Sequence, residues 1–130
     1  MISHVHVGIG DFARACRFYD AILPLLGLEV RFKEPDRGWA GWQEPGRARP
    51  LFLIGKPFDG GPASPGNGPM TALLSPDRRT VDLVHEAALA AGGTSEGAPG
   101  LRPQYHPNYY GAYFRDPDGN KLCVCCHHPE

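Results

Sequence analysis

The chain has 130 residues, with 13 Lys and Arg against 14 Asp and Glu and a formal net charge of −1. This length suits one domain with its own core, and the balanced charge excludes the dominant basic surface that nucleic-acid and membrane binders usually carry. No apolar run approaches the roughly 18 residues of a membrane span, and the N-terminus does not read as a signal peptide. We therefore expect a cytoplasmic protein that binds neither nucleic acid nor membranes.

The first half begins with a predicted strand over Ile2–Ile9, where apolar and polar side chains alternate. His4 and His6 fall on one face of it, because neighbours along a strand point to opposite faces. Apolar residues at helical spacing predict a helix over Phe12–Leu23. The short strands predicted after it are Leu28–Phe32, Gly38–Gln43 and Leu51–Gly55.

The second half repeats this order of elements. A strand is predicted over Met70–Leu74 and an amphipathic helix over Arg78–Ala91. We interpret the glycine- and proline-rich segment that follows, Gly92–Pro107, as a loop. The last two predicted strands, Tyr109–Arg115 and Asn120–Cys126, form a hairpin around a turn with the sequence Asp-Pro-Asp-Gly.

The two halves are also similar in sequence. When they are aligned with an offset of 66 positions, Asp11 meets Asp77 and Gly27 meets Gly93. Each Asp is placed to accept hydrogen bonds from the first turn of a helix, and each glycine to adopt the left-handed conformation beyond its last turn. The functional site is expected between the halves. The prediction is one domain over residues 1–130, with an internal repeat over 1–60 and 66–130.

The four cysteines are Cys16, Cys123, Cys125 and Cys126. Three of them crowd one predicted strand, whose neighbours point to opposite faces, so we expect free thiols in a reducing compartment rather than a disulfide framework. Cys123 is a candidate catalytic nucleophile, provided that a nearby cation or histidine lowers its pKa. The alternative is that it packs as a small buried hydrophobe.

The segment before the last hairpin combines aromatic side chains with one arginine and one histidine. Arg102 is a candidate anion clamp and His106 a candidate proton-transfer group. Tyr105 and Tyr110 are candidate substrate contacts, and Trp42 of the first half is a further one because an indole suits a flat ligand. The alternatives are a loop pinned by its prolines, tyrosines packed on the sheet and a tryptophan in the core.

Several motifs occur in order along nearly the whole chain: His4 ahead of Gly10-Asp11, Arg17-Phe18-Tyr19, Leu25-Leu26-Gly27-Leu28, Tyr110-Gly111-Ala112-Tyr113-Phe114 and Asp116-Pro117-Asp118-Gly119-Asn120-Lys121-Leu122. Together they resemble the glyoxalase/bleomycin resistance/dioxygenase superfamily, also called vicinal oxygen chelate proteins. The resemblance implies an α+β fold of two βαβββ modules that form a curved mixed sheet around a pocket. It also implies a homodimer, because the pocket in this superfamily is often built across two subunits.

The resemblance implies a divalent metal ion in the pocket, with ligands on the first and last strands of each module. His4 matches one ligand position, whereas Met70 stands where a second histidine is frequent and Cys123 where a carboxylate is usual. Three interpretations stay open. The metal is lost; or His4, Met70 and Cys123 hold a softer ion such as Cu or Zn; or His6, Glu44 or His106 complete a hard-metal site with His4.

Two functions of different classes follow. The first is a glyoxalase- or dioxygenase-type enzyme, a lyase or oxidoreductase acting on a small oxygen-rich substrate near His4, with His6, His106 and Cys123 as catalytic candidates. The second is a metal-free module of the bleomycin-resistance type, which binds or sequesters a small molecule. A chelator and the His4→Ala substitution should inactivate a hard-metal enzyme, whereas a binding module should ignore the chelator.

Overall fold

Each half of the molecule runs as a strand, a helix and three further strands. The computed structural model describes all residues, 1–130, and neither of its helices is long and apolar enough to cross a membrane. The first half contains β1 (His4–Gly8), α1 (Phe12–Ile22), β2 (Glu29–Glu34), β3 (Trp39–Gln43) and β4 (Leu51–Gly55). The second contains β5 (Thr71–Leu74), α2 (Arg78–Ala90), β6 (Thr94–Leu101), β7 (Tyr110–Arg115) and β8 (Lys121–Cys126). The predicted α+β fold of two βαβββ modules is confirmed.

Each half has its own four-stranded mixed sheet. The strand orders are β1–β4–β3–β2 and β5–β8–β7–β6, so the first strand of each half is an edge strand. In both sheets this first strand is parallel to the last strand of its half, and the other neighbours are antiparallel. The curved sheet that the resemblance implies is therefore two sheets, and no ladder of hydrogen bonds joins β1 to β5.

The predicted helix caps form in both halves. Asp11 accepts a hydrogen bond from the backbone N–H of Arg14 at 2.9 Å, and Asp77 accepts one from that of Thr80 at 2.7 Å. Gly27 ends the first helical segment with a φ of 77°. In the second half Gly92, with a φ of 101°, adopts the left-handed conformation that the alignment assigned to Gly93.

The loop predicted over Gly92–Pro107 is wrong over Thr94–Leu101, which forms the edge strand β6. Its pairing with β7 slips between Ser95 and Gly97 and again between Gly97 and Gly100. Such irregularities accommodate glycine, and an edge strand tolerates proline because one row of its N–H groups needs no partner. The composition typical of a loop therefore marks a bulged edge strand here.

The two halves are joined by a buried polar contact. The Tyr19 hydroxyl on α1 donates a 2.6 Å hydrogen bond to Asp116 in the turn between β7 and β8. Asp116 also accepts from the backbone N–H groups of Asp118 and Asn120, and the Asn120 amide donates to the Gly8 carbonyl at 2.8 Å. This turn therefore ties the last hairpin of the second half to α1 and β1 of the first.

Candidate functional site

The side chains of each sheet divide between the face that packs on the helices and an opposite face, which we call the outer face. On β1, Val7 belongs to the core, whereas His4 and His6 alternate with it onto the outer face. On β8, Val124 belongs to the core and Cys123 lies on the outer face. All four cysteines are free thiols, as expected.

Three adjoining cavities run along the outer face and form what we call the outer cleft. Their volumes are about 810, 160 and 530 Å³. His6 and Ser64 border both the first and the middle cavity, and Met70 and Lys121 border both the middle and the last. Because residues 56–70 run along all three, the segment between the halves forms a wall of the cleft.

The outer cleft is lined by cations and aromatic rings. Its first cavity contains Lys56, and Arg37 lies 5.2 Å from the centre of the Trp39 ring. Lys121, in the last cavity, lies over the ring of Tyr113 at 5.7 Å. Neither lysine forms an ion pair, whereas Arg37 and Arg115 do. The cleft is therefore suited to a planar molecule that carries negatively charged oxygen atoms. The lining side chains that carry formal charges are Arg37, Lys56, Asp59, Arg115 and Lys121.

Cys123 lies beneath the tyrosines of the last cavity and is completely buried. The Tyr109 hydroxyl is 3.5 Å from its sulfur and 3.1 Å from the hydroxyl of Tyr113. The neighbouring Cys125 thiol does most to lower the pKa of Cys123, to about 7, although burial opposes the shift. Tyr109, Tyr113 and the charge of Arg102 act in the same direction. The neighbouring Cys123 and burial raise the pKa of Cys125 well above the usual range, so Cys125 keeps its proton.

His106 is connected to these thiols through His127. The backbone N–H of Asn108 donates to Nδ1 of His106 at 3.1 Å, so the neutral ring carries its hydrogen on Nε2. That nitrogen lies 2.8 Å from Nδ1 of His127, whose Nε2 is 3.6 Å from the sulfur of Cys125. With both rings neutral, the hydrogen-bond donors along this chain all point towards the sulfur of Cys125.

The remaining site candidates divide between the two faces. His6 and Tyr105 border the outer cleft, and Arg102 packs over Tyr113 while donating to the Ala98 carbonyl at 2.8 Å. His4 is exposed and borders none of its cavities, with Nδ1 3.0 Å from the Ser3 hydroxyl. Of the catalytic and binding candidates, the structure therefore brings together His6, Tyr105, Arg102 and Cys123 at or just below the outer cleft.

Trp42 and Tyr110 lie on the helix-facing side and do not join this group. Trp42 is completely buried against Tyr19 and Phe52. Tyr110 donates a 2.6 Å hydrogen bond to Asp82 of α2. The difference follows from strand alternation, because Trp42 and Tyr110 each stand one position away from a residue of the outer face.

The donor set for a divalent metal is not assembled in this chain. No three His, Cys, Asp or Glu side chains come together in a group that could hold an ion. His4 lies outside the cleft, and Cys123 is buried beneath Tyr109, whose hydroxyl lies 3.5 Å from its sulfur. The residues present therefore do not fit the metal that the resemblance implies.

Sequence reasoning did not single out four residues that shape this site: Tyr109, Tyr113, Cys125 and Lys121. The register of the hairpin places Tyr113 opposite Cys123, because five residues connect Arg115 to its partner Lys121, whereas the four-residue turn expected from the sequence would have placed Ala112 there. Nothing in the sequence indicates that Tyr109 folds back over the same sulfur, since it lies in the loop before β7 rather than in the strand.

The sequence profile described as the Glyoxalase/Bleomycin resistance protein/Dioxygenase superfamily matches residues 1–124. Among solved structures, the chain is similar to a glyoxalase/bleomycin resistance protein from Albidiferax ferrireducens, at 36% identity over 97% of this chain and 98% of that one, with a TM-score of 0.87.

Two more distant structures share the fold. A glyoxalase-related enzyme from Fulvimarina pelagi has 22% identity over 97% of this chain and 87% of that one, with a TM-score of 0.72. An antibiotic binding protein from a Streptomyces species has 20% identity over 98% and 96%, with a TM-score of 0.66. No curated protein matches the sequence significantly.

Proposed function

This chain belongs to the glyoxalase/bleomycin resistance protein/dioxygenase superfamily, and on that basis we propose that it binds a small, planar, oxygen-rich anion in the outer cleft through its own side chains. The observation that carries the proposal is the lining of the cleft. It offers aromatic rings and two unpaired lysines, Lys56 and Lys121, where no metal-binding group is assembled. Because an antibiotic binding protein shares the fold, the fold is compatible with binding alone.

The experiment is a titration with naphthoate, an aromatic carboxylate, followed by calorimetry and by the shift in melting temperature. Lys121→Gln should weaken binding about 3- to 10-fold, as expected for loss of one partly solvated charged contact. The matched control is Arg79→Gln, which removes the same charge from the exposed surface of α2. A chelator should leave the dissociation constant unchanged, and the neutral analogue naphthalenemethanol should bind more weakly than naphthoate.

Two results would contradict the proposal. One is binding that disappears with chelator or in His4→Ala, which would return the function to a metal centre. The other is binding that tolerates both Lys56→Gln and Lys121→Gln, which would place the ligand elsewhere. A thermal shift alone does not locate the site, because any ligand of the folded state raises the melting temperature.

A second candidate function is an enzyme in which Cys123 acts as a nucleophile. The lowered pKa of Cys123, whose sulfur lies 3.5 Å from the Tyr109 hydroxyl, favours it, because the thiolate is the reactive form. His6, in the outer cleft, is the proton-transfer candidate of this alternative. It requires that Cys123 be ionised near neutral pH and that Tyr109 move aside for a substrate.

The homodimer and the cytoplasmic location implied at the sequence level remain part of the proposal. Sedimentation velocity would check the first, with twice the mass of one chain as the expected result. Cell fractionation would check the second.

A further inference from the structure

The floor of the first cavity of the outer cleft depends on one glycine. His6, Trp39 and Gly55 all line this cavity, and Gly55 lies between Gly8 of β1 and Trp39 of β3. A Cβ atom at Gly55 would lie 2.9 Å from Nε2 of His6 and 3.1 Å from Cβ of Trp39. The imidazole of His6 therefore occupies the space above Gly55, next to Trp39. We call these two side chains the floor of the first cavity.

Phe58 lines the same cavity from the segment that connects the two halves. Of the six phenylalanines, it is the only one that is exposed, and its side chain is fully exposed. Its backbone is held in a turn, because the N–H of Gly60 donates to the Pro57 carbonyl at 3.0 Å and Gly60 has a φ of 75°. Asp59 accepts a further hydrogen bond from the N–H of Gly61 at 2.9 Å. An ordered turn therefore presents an unpacked aromatic ring at the first cavity.

We propose that Phe58 is the residue that selects an aromatic ligand, whose ring lies in the first cavity between Phe58 and the floor. One exposed apolar residue is ordinary on a protein surface, so the argument depends on what surrounds it. Phe58 and Trp39 are the two large apolar side chains of this cavity, and aromatic rings favour offset or edge-to-face contact with another ring. The anionic group of the ligand then points towards the middle cavity, which His6 also borders and where Lys121 is the cation. This inference rests on the function proposed for the outer cleft.

The test measures the affinity for two anions by calorimetry. Naphthoate is the aromatic probe, and decahydronaphthoate has the same charge and carbon skeleton without an aromatic ring. Wild type should prefer naphthoate, and Phe58→Ala should weaken naphthoate about 2- to 10-fold, as expected for the loss of one aromatic contact. Phe58→Leu keeps an apolar side chain but no ring, so it should reduce the preference for naphthoate, whereas Phe58→Tyr should keep it.

The matched control is Leu89→Ala, which also removes an exposed apolar side chain but lies on α2 and borders none of the cavities. It should leave both affinities unchanged. Because Phe58 is fully exposed, its variants should fold as wild type does, which the urea midpoint checks. In NMR spectra, nuclear Overhauser contacts should join the protons of naphthoate to the Phe58 ring, whose signals are identified by their loss in Phe58→Ala.

The inference fails if wild type binds naphthoate and Phe58→Ala binds it equally well. The function proposed for the outer cleft would then stand, with the ring elsewhere in the cleft, and Tyr105→Ala in the last cavity would be the variant that weakens binding. If wild type binds neither anion, both that function and this inference fail. The inference also fails if Phe58 packs against a second copy of the chain, in which case Phe58→Ala would halve the sedimenting mass and leave the affinity for naphthoate unchanged.

Discussion

The two halves of the molecule share one architecture but differ at matched positions of the outer face. Pairing of β1 with β4 sets His6 beside Leu53, and pairing of β5 with β8 sets Ala72 beside Cys123. The first half therefore presents an imidazole next to an aliphatic residue. The second presents a methyl group next to a thiol.

The next strand enlarges the difference. Gly41 lies beside Leu53 in the first half, and Tyr113 lies beside Cys123 in the second. A side chain at Gly41 would force its neighbours to shift, because its Cβ would lie 2.7 Å from side-chain atoms of both Leu53 and Phe32. At this position the first half therefore has no side chain under the outer cleft, whereas in the second half the side chains of Tyr109 and Tyr113 cover the buried sulfur of Cys123.

The helix-facing sides, in contrast, are chemically alike. Ala40 in β3 and Ala112 in β7 occupy equivalent positions of the two sheets, and so do Trp42 and Phe114. All four side chains are completely buried. Packing against a helix demands apolar side chains of suitable volume in both halves. The outer face is free of that demand, so the halves differ where a ligand would bind and agree where the core forms.

The largest effect is expected when the joint between the halves is broken. Asp116→Ala leaves the buried Tyr19 hydroxyl and two backbone N–H groups without their acceptor, and it removes one of the two acceptors of the Asn120 amide. We expect the free energy of unfolding, measured with urea, to fall by about 3 kcal/mol or more. Asp36→Ala, at an exposed turn, should change it by less than about 0.5 kcal/mol. A loss as small as that of the control would mean that the halves do not depend on this contact.

An intermediate effect on stability is expected from Cys123→Leu, which gives the second half the leucine that the first half has at the equivalent position, Leu53. The pKa of Cys123 is lowered from 9.0 to about 7 in the folded chain, so ionisation stabilises the fold above the unfolded pKa, and this stabilisation is lost as the pH falls through 7. Wild-type stability should therefore rise between pH 7 and 9 relative to the variant, by something on the order of 1–2 kcal/mol. Urea unfolding at several pH values measures it.

The control for that experiment is Cys16→Ala. Burial raises the pKa of Cys16, so its contribution has the opposite sign: it is fully present below the unfolded pKa and is lost as the pH rises from there through the raised folded pKa. Parallel pH profiles for wild type and Cys123→Leu would show that Cys123 is not ionised in this range. The nucleophile of the second candidate function would then be absent at neutral pH.

The smallest effect is expected at the feature that the halves have most in common, the helix N-caps. Asp11→Ala removes the side chain that accepts from the Arg14 N–H and should cost about 1 kcal/mol. Asp77→Ala should also lower the urea midpoint, since Asp77 makes the same contact with Thr80. Asn at either position should keep most of the wild-type stability, because its side-chain oxygen can accept the same hydrogen bond. An alanine variant as stable as wild type would show that the N-cap does not stabilise that half.

The elements predictable from sequence were those set by local rules. Strand alternation, helical spacing and the capping residues give the bounds of most elements to within one or two positions, as for the strand predicted over Leu51–Gly55. The strand β6 was not predicted, because its glycines and its proline are typical of a loop, whereas its conformation is fixed by pairing with β7. Tertiary pairing outweighs local preference there.

The candidate site was less predictable because it depends on contacts between distant segments. Alternation correctly placed His6 on the outer face, but it does not say that Tyr109 covers Cys123 or that His106 meets His127 across 21 positions. The unpaired N–H of Trp42 likewise emerges only when every nearby acceptor is known. Sequence rules give the direction of a side chain, not the partner at its end.

The hydrogen bonds from Asn108 to Cys125 all run in one direction when both imidazole rings are neutral, and this polarity has a consequence for remote sensing. Because the charge of Cys123 acts on the neighbouring Cys125 thiol, a proton taken up by an ionised Cys123 changes the electrostatic field at the hydrogen bond between Cys125 and His127. His106 is anchored by a backbone N–H and adjoins His127. The exposed imidazole of His127 thus becomes a surface reporter of the charge on a sulfur that solvent does not touch.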